Sequence, residues 1–168
     1  SSAASDVYKR QLNTVKTYGT NPVHLTLDPE ERWLYVANLQ TGSVSVIPVL
    51  EDGSLGKLHD LEFISGNGGP GYISHPHQTM KDRSGRWLVV PSQGRLQGVG
   101  KLTVFAIDEE QGSLKETFIQ KGRTGAEPRH CVFHPGNKYC YCVNEKDSTV
   151  AASVSYTHLR AHETSAHL

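Results

Sequence analysis

Adding water to an activated carbonyl takes a proton acceptor, a cation for the developing oxyanion and a group that orients one or both. This chain offers one of each at His77, Arg129 and Glu145. A neutral imidazole can act as general base on water or as general acid on a leaving oxygen. A guanidinium can hold an oxyanion, a carboxylate or a phosphate through its planar fork. A carboxylate can orient the other two or serve as the base itself. The chemistry these groups suit is acyl or lactone work. A plainer alternative is that Arg129 and Glu145 form an ion pair that staples neighbouring strands. His75, Gln78, Gln93 and Asn144 stand nearby as candidate substrate contacts. His75-Pro-His77 is a weak metal motif, because alternate strand residues face opposite ways and no cluster at ligand spacing completes it. No metal and no cofactor are expected.

The three residues stand out because the chain repeats itself. The stretch Pro128 to Asn144 echoes Pro22 to Asn38 at an offset of 106 residues: Pro29 recurs as Pro135, and Trp33 as Tyr139. A middle copy sits at an offset of 54, carrying Pro22 to Pro76, Trp33 to Trp87 and Asn38 to Ser92. The residue after the aligned proline is Val23, then His77, then Arg129. The residue after the second strand is Leu39, then Gln93, then Glu145. One copy is apolar at both positions while the other two bring ionisable or amide groups. His24 and His130 share a repeat position, and His134 takes the turn position of Asp28, so all three read as structural.

Each unit resolves into four short β segments, in the first copy Val23–Asp28, Trp33–Asn38, Ser43–Leu50 and Lys57–Ser65. Turn chemistry links them at Asp28-Pro29, Thr41-Gly42 and Asp52-Gly53. Leu12–Tyr18 fits the last strand of a preceding unit. Asp52-Gly-Ser-Leu55 recurs as Gln111-Gly-Ser-Leu114 at an offset of 59, so the middle unit carries about five extra residues, which fall in Gln93–Gly100. That Gly-rich loop reads as an insertion near the site. Four-stranded antiparallel units repeating at this period predict an all-β fold, a partial β-propeller of about two and a half blades. Propellers close with roughly four to eight blades, so apolar blade faces are expected at both ends of this stretch.

The ends break the repeat. Residues 1–11 and 153–168 match no repeat position and are expected to be non-native, adaptor-like segments flanking a propeller portion at 12–152. The tail holds His158, His162 and His167 at helical spacing. Seventeen basic residues balance seventeen acidic ones over 168 residues, which gives no electrostatic reason to expect nucleic acid or an anionic membrane as partner. No apolar run reaches transmembrane length and no signal-peptide layout opens the chain, so the cytoplasm is the default location. Cys131, Cys140 and Cys142 read as small buried residues rather than a disulfide framework.

With these residues in view, the stretch from Leu12 to Val150 resembles the seven-bladed β-propeller lactonase family, which includes bacterial 6-phosphogluconolactonases and the fungal carboxy-cis,cis-muconate lactonising enzyme. Ser74-His-Pro-His-Gln78, Pro128-Arg-His-Cys-Val-Phe-His-Pro135 and Tyr141-Cys-Val-Asn-Glu145 carry the resemblance. It implies seven blades in the whole protein, and it maps the family's active-site histidine, arginine and glutamate onto His77, Arg129 and Glu145. Pro91-Ser-Gln-Gly94 departs from the family's usual Pro-Asp segment. The implied reaction is hydrolysis of a small-molecule lactone, 6-phospho-D-glucono-1,5-lactone to 6-phosphogluconate, in the pentose phosphate pathway. This fragment alone would be inactive. The alternatives are a muconate-type cycloisomerase and a non-catalytic binding propeller, the latter favoured if His77, Arg129 and Glu145 prove scattered.

Overall fold

A computed structural model describes residues 10–69 and 71–155; the tail histidines His158, His162 and His167 lie outside the described residues. Eleven strands are described there. In order they are β1 (Pro22–Leu27), β2 (Trp33–Asn38), β3 (Ser43–Pro48), β4 (Asp60–Phe63), β5 (Met80–Lys81), β6 (Trp87–Ser92), β7 (Lys101–Asp108), β8 (Ser113–Lys121), β9 (Pro128–Phe133), β10 (Tyr139–Asn144) and β11 (Thr149–Val154). A 3₁₀ turn covers Arg95–Gln97. The strands form antiparallel sheets in simple up-and-down order, β1-β2-β3-β4, then β5-β6-β7-β8, then β9-β10-β11. This is the expected partial propeller, two four-stranded blades and a three-stranded one.

The repeat offsets are structural. Pro22 faces Asn38, Pro76 faces Ser92 and Pro128 faces Asn144. The residue before each proline, Asn21, His75 or Glu127, has positive φ (58°, 57° and 55°), a conformation uncommon outside glycine. Its carbonyl accepts a hydrogen bond from Leu39, Gln93 or Glu145, at 2.9, 2.9 and 3.0 Å. Immediately after the proline, the first strand spends one residue more than its partner. The register shifts between Pro22 and His24, and between the pairs Pro128–Asn144 and His130–Val143. Pro76 to Met80 likewise spans one residue more than Ser92 to Val89. The extra residue is Val23, His77 or Arg129. A bulge of this kind re-aims one side chain out of the ladder.

The blades stack face on face. Tyr35, Val44 and Val46 of the first meet Leu88, Val90 and Phe105 of the second. Val89 of the second meets Cys131, Phe133, Cys140 and Cys142 of the third. All three thiols are free and buried, as expected; the hydrogen bond with Cys140 and then burial push the Cys131 thiol up, and burial pushes that of Cys142 up to about 11. Leu12–Tyr18 is not a strand. It lies on the first blade's other face, with Val15 against Leu34, Val36 and Ile47, because no described strand runs beside it to complete a ladder. β11 continues its ladder with β10 as far as Val154, two residues past the expected boundary at 152. The outer face of the third blade leaves Val132, Tyr141, Val143 and Val150 exposed, and the opposite end exposes Leu25 and Leu27. These are the open apolar faces expected of an unclosed stack.

One repeat position also stitches each blade to the next. His24 Nδ1 lies 3.4 Å from the Thr79 backbone N–H, and Gln78 Oε1 accepts from the Cys131 N–H at 2.6 Å. Thr79 and Cys131 are themselves repeat equivalents. Gln78, expected as a substrate contact, is placed as an inter-blade acceptor, 8% exposed. Removing the acceptor would leave a buried N–H without a partner, at a cost of about 1–3 kcal/mol. Gln78→Ala should therefore destabilise the protein by about that much, read from urea denaturation at constant m-value. A midpoint equal to that of the parent would dismiss the stitch.

Candidate active site

The bulges place His77 and Arg129 on the same rim, one blade apart, and the strand ends bring Gln93 and Glu145 beside them. Arg129 donates from Nε to His77 Nε2 at 3.1 Å, and its Nη1 lies 3.5 Å from Glu145 Oε1. Glu145 Oε2 accepts a short hydrogen bond from Gln93 Nε2, and Gln93 Oε1 accepts from Arg95 Nε at 3.1 Å. The His130 ring meets His77 edge to face, centroids 4.9 Å apart. A continuous polar chain results: Arg95, Gln93, Glu145, Arg129, His77, His130. Its outer members face solvent, with the Arg129 and Glu145 side chains 41% and 46% exposed, while Gln93 is 1% exposed.

The in-blade ion pair weighed as the plainer alternative therefore exists, but it does not close on itself. Both partners extend into the neighbouring blade. At that exposure the pair contributes at most about 1 kcal/mol to stability, so the arrangement is poorly explained as a staple.

His77 has little freedom to exchange protons. Its Nε2 lone pair already receives Arg129, which assigns the proton to Nδ1, and Nδ1 is buried without a partner among the described residues. Burial first, then Arg129 and His130, hold the imidazole below its ordinary pKa. His130 is lowered by burial and Arg129, His24 by burial and His130, and His75 by burial and Arg95.

The remaining sequence candidates separate. His75 is buried at the left-handed corner behind the rim, 8% exposed. Asn144 donates to Thr149 Oγ1 at 2.9 Å, a bond within the third blade that repeats the Asn38–Ser43 bond of the first. Gln93 is buried and joins Arg95 to Glu145. Two residues escaped the sequence reading. Arg95 lies inside the insertion, whose length was visible but whose contacts were not. His130 shares its repeat position with structural His24, so nothing in the repeat marked it. A cleft of about 690 Å³ between the second and third blades, lined by Trp87, Leu102, Phe118 and Phe133, contains none of the site residues. It is apolar and lies among strand faces.

Two four-stranded blades and a three-stranded one, stacked face on face with His77, Arg129 and Glu145 together at one rim, define a partial β-propeller. The family profile "Lactonase, 7-bladed beta-propeller" matches residues 2–166, and the chain belongs to that family. Among curated relatives, the 6-phosphogluconolactonase of Erwinia tasmaniensis is 33% identical over 132 residues, covering 77% of this chain and 36% of the relative. That of Bacillus subtilis is 31% identical over 141 residues, covering 84% and 39%. The periplasmic gluconolactonase of Pseudomonas aeruginosa superposes with a TM-score of 0.72 at 26% identity, over 84% of this chain and 40% of that one. The chain thus spans well under half the length of these proteins.

Four imidazoles held neutral make the fold acid-sensitive. In the unfolded chain a histidine binds its proton at about 6.5, whereas His24, His75, His77 and His130 bind theirs only at lower pH when folded. The unfolded state then carries more protons as pH drops, so stability is full above about pH 7 and falls from there toward each folded pKa. Denaturation midpoints at pH 7.5 and 5.5 should show this loss, and His77→Gln should shrink it. An equal loss in the variant would remove His77 from the linkage.

Proposed function

We propose that the protein to which this chain belongs hydrolyses a sugar lactone, with 6-phospho-D-glucono-1,5-lactone as substrate and 6-phosphogluconate as product. Family membership and the names of the curated relatives support the reaction class. The observation that carries the mechanism is the tether on Glu145, whose oxygens are held from opposite sides by Arg129 and Gln93 while the carboxylate stays half-exposed.

In this reading Glu145 is the base. A carboxylate has about four acceptor sites, and Arg129 and Gln93 take two, so two remain and one of them can take water. His77 was the other candidate, but its outward lone pair is spent on Arg129. Water attacks the lactone carbonyl, its proton passes to Glu145, and the carbonyl oxygen gathers charge beside the Arg129 guanidinium. Collapse of the tetrahedral intermediate breaks the bond to the ring oxygen. That oxygen leaves as an alcohol with the proton returned from Glu145, and the product is the open-chain acid. His77 serves by positioning: its acceptor at Nε2 fixes the Arg129 fork, and its neutrality avoids a like charge beside that cation.

The cytoplasm remains the proposed location, motivated by three free thiols. The relative described as periplasmic is a counterexample within the structural neighbours. Among the described residues no helix is long and apolar enough to cross a membrane.

Kinetics of the full-length protein carrying this sequence test the assignment, with the phosphorylated lactone and glucono-1,5-lactone as substrates. Glu145→Gln and Arg129→Ala should each lower kcat by about a hundredfold or more, and His77→Gln by about tenfold. A Glu145→Gln variant that keeps its full rate while His77→Gln is inactive would exchange the two roles. No turnover of either lactone by the parent protein would end the hydrolase reading.

A further inference from the structure

Among the three described blades the Gln93–Gly100 insertion occurs in one, and it carries a guanidinium where the equivalent turn of the first blade has no cation and that of the third has Lys146, which is paired with Glu127 at 3.5 Å. At the equivalent turns the first blade has Leu39-Gln-Thr-Gly42 and the third has Glu145-Lys-Asp-Ser148. In the second, Arg95 opens the 3₁₀ turn at φ 52°, a left-handed conformation for a residue with a bulky side chain. The loop is pinned. Asn67 Nδ2 donates to the Val99 carbonyl at 2.8 Å, and a Cβ added at Gly98 would come within 2.7 Å of the Gly68 nitrogen. Arg95 is therefore presented by an anchored segment.

The way Arg95 is tied matters for what it can bind. Only Nε is engaged, on Gln93 Oε1, and no described residue partners Nη1 or Nη2. Arg129 shows a similar pattern: Nε is on His77 and Nη1 on Glu145, leaving Nη2 without a partner among the described residues. Two guanidiniums thus approach one carboxylate from opposite sides, Arg129 directly and Arg95 through buried Gln93. Arg95 and Arg129 against Glu145 leave a surplus of one positive charge among these three groups, and both cations retain donors without a partner among the described residues. His75, the nearest imidazole behind Arg95, is buried and adds a neutral wall.

We propose that Arg95 is a specificity residue that binds the phosphate group of the substrate, with Gln93 holding its guanidinium in place. This deepens the lactonase reading and rests on it for the identity of the rest of the substrate. A guanidinium whose Nε is already anchored offers its two terminal nitrogens as a planar fork, which matches two oxygens of a phosphate. Arg129 is then left to the carbonyl, because one cation need not serve both ends of the molecule. The Gln93 tether limits the rotamer freedom that binding would otherwise have to remove.

Two measurements on the full-length protein decide this separately from the reaction itself. In the first, inorganic phosphate is titrated calorimetrically into the parent protein, Arg95→Gln and Arg95→Lys. Arg95 is exposed on its loop, so the variants should fold as the parent does. The expected result is at least fivefold weaker phosphate binding in Arg95→Gln, with part of the loss restored in Arg95→Lys. Equal affinity in parent and Arg95→Gln overturns the proposal, as does acetate binding as tightly as phosphate. The second compares KM for 6-phosphogluconolactone and glucono-1,5-lactone. Arg95→Gln should raise the former several-fold more than the latter, with kcat changing less than KM. A parallel rise in both overturns the proposal. If the parent protein turns over neither lactone, the hydrolase reading fails while the phosphate titration still decides the role of Arg95.

Discussion

Each blade opens on the same short backbone device: a non-glycine residue at positive φ, a proline, and one residue bulged out of the ladder. The site depends on it. The left-handed residue turns its carbonyl to meet the amide at the end of the second strand, which fixes Leu39, Gln93 and Glu145 beside the blade start. Proline has no N–H to lose at that point. The bulge then delivers Val23, His77 or Arg129 to the rim instead of to a blade face. A uniform ladder would send these side chains into an apolar stack, where an arginine could not be accommodated without a partner.

On that frame the electrostatics run between blades. Glu145 is held by Arg129 in its own blade and by Gln93 in the one before, and His77 reaches forward to Arg129. No blade contains the site by itself. Burial and the neighbouring cations keep the imidazoles neutral, which makes His77 a hydrogen-bond acceptor in place of a competing charge. The same couplings make the cluster respond as a unit, since each member is oriented by the next.

Inter-blade contact away from the rim follows a second rule, with one side chain per blade accepting from the backbone of the following blade. His24 and Gln78 share a repeat position and differ in chemistry, yet both present an acceptor to equivalent amides. At the third blade the equivalent residue is His130, and its ring turns to His77. One position thus serves stacking in two copies and touches the site in the third, a distinction that depends on which residue the bulge places beside it.

The sequence by itself determined the unit, its period and its contents. Turn residues at fixed offsets and apolar strands of matched length leave few other folds, because local backbone preference and blade stacking point the same way. Comparing copies also isolated His77, Arg129 and Glu145, since groups that stacking does not require stand out against a common frame. Gln78, named in sequence only as a candidate substrate contact, accepts from the following blade at the repeat position that His24 holds in the first, a pairing that only the stack of blades creates. The same comparison gave Leu12–Tyr18 a strand that only a ladder partner could create. Tertiary structure alone decided the rest: that Gln93 is buried between Arg95 and Glu145, that Arg129 occupies the His77 lone pair, and that Arg95 reaches the rim. Each of these is a contact between residues of different strands or loops, set by a bulge angle or a pinned loop, and no spacing along the chain encodes it.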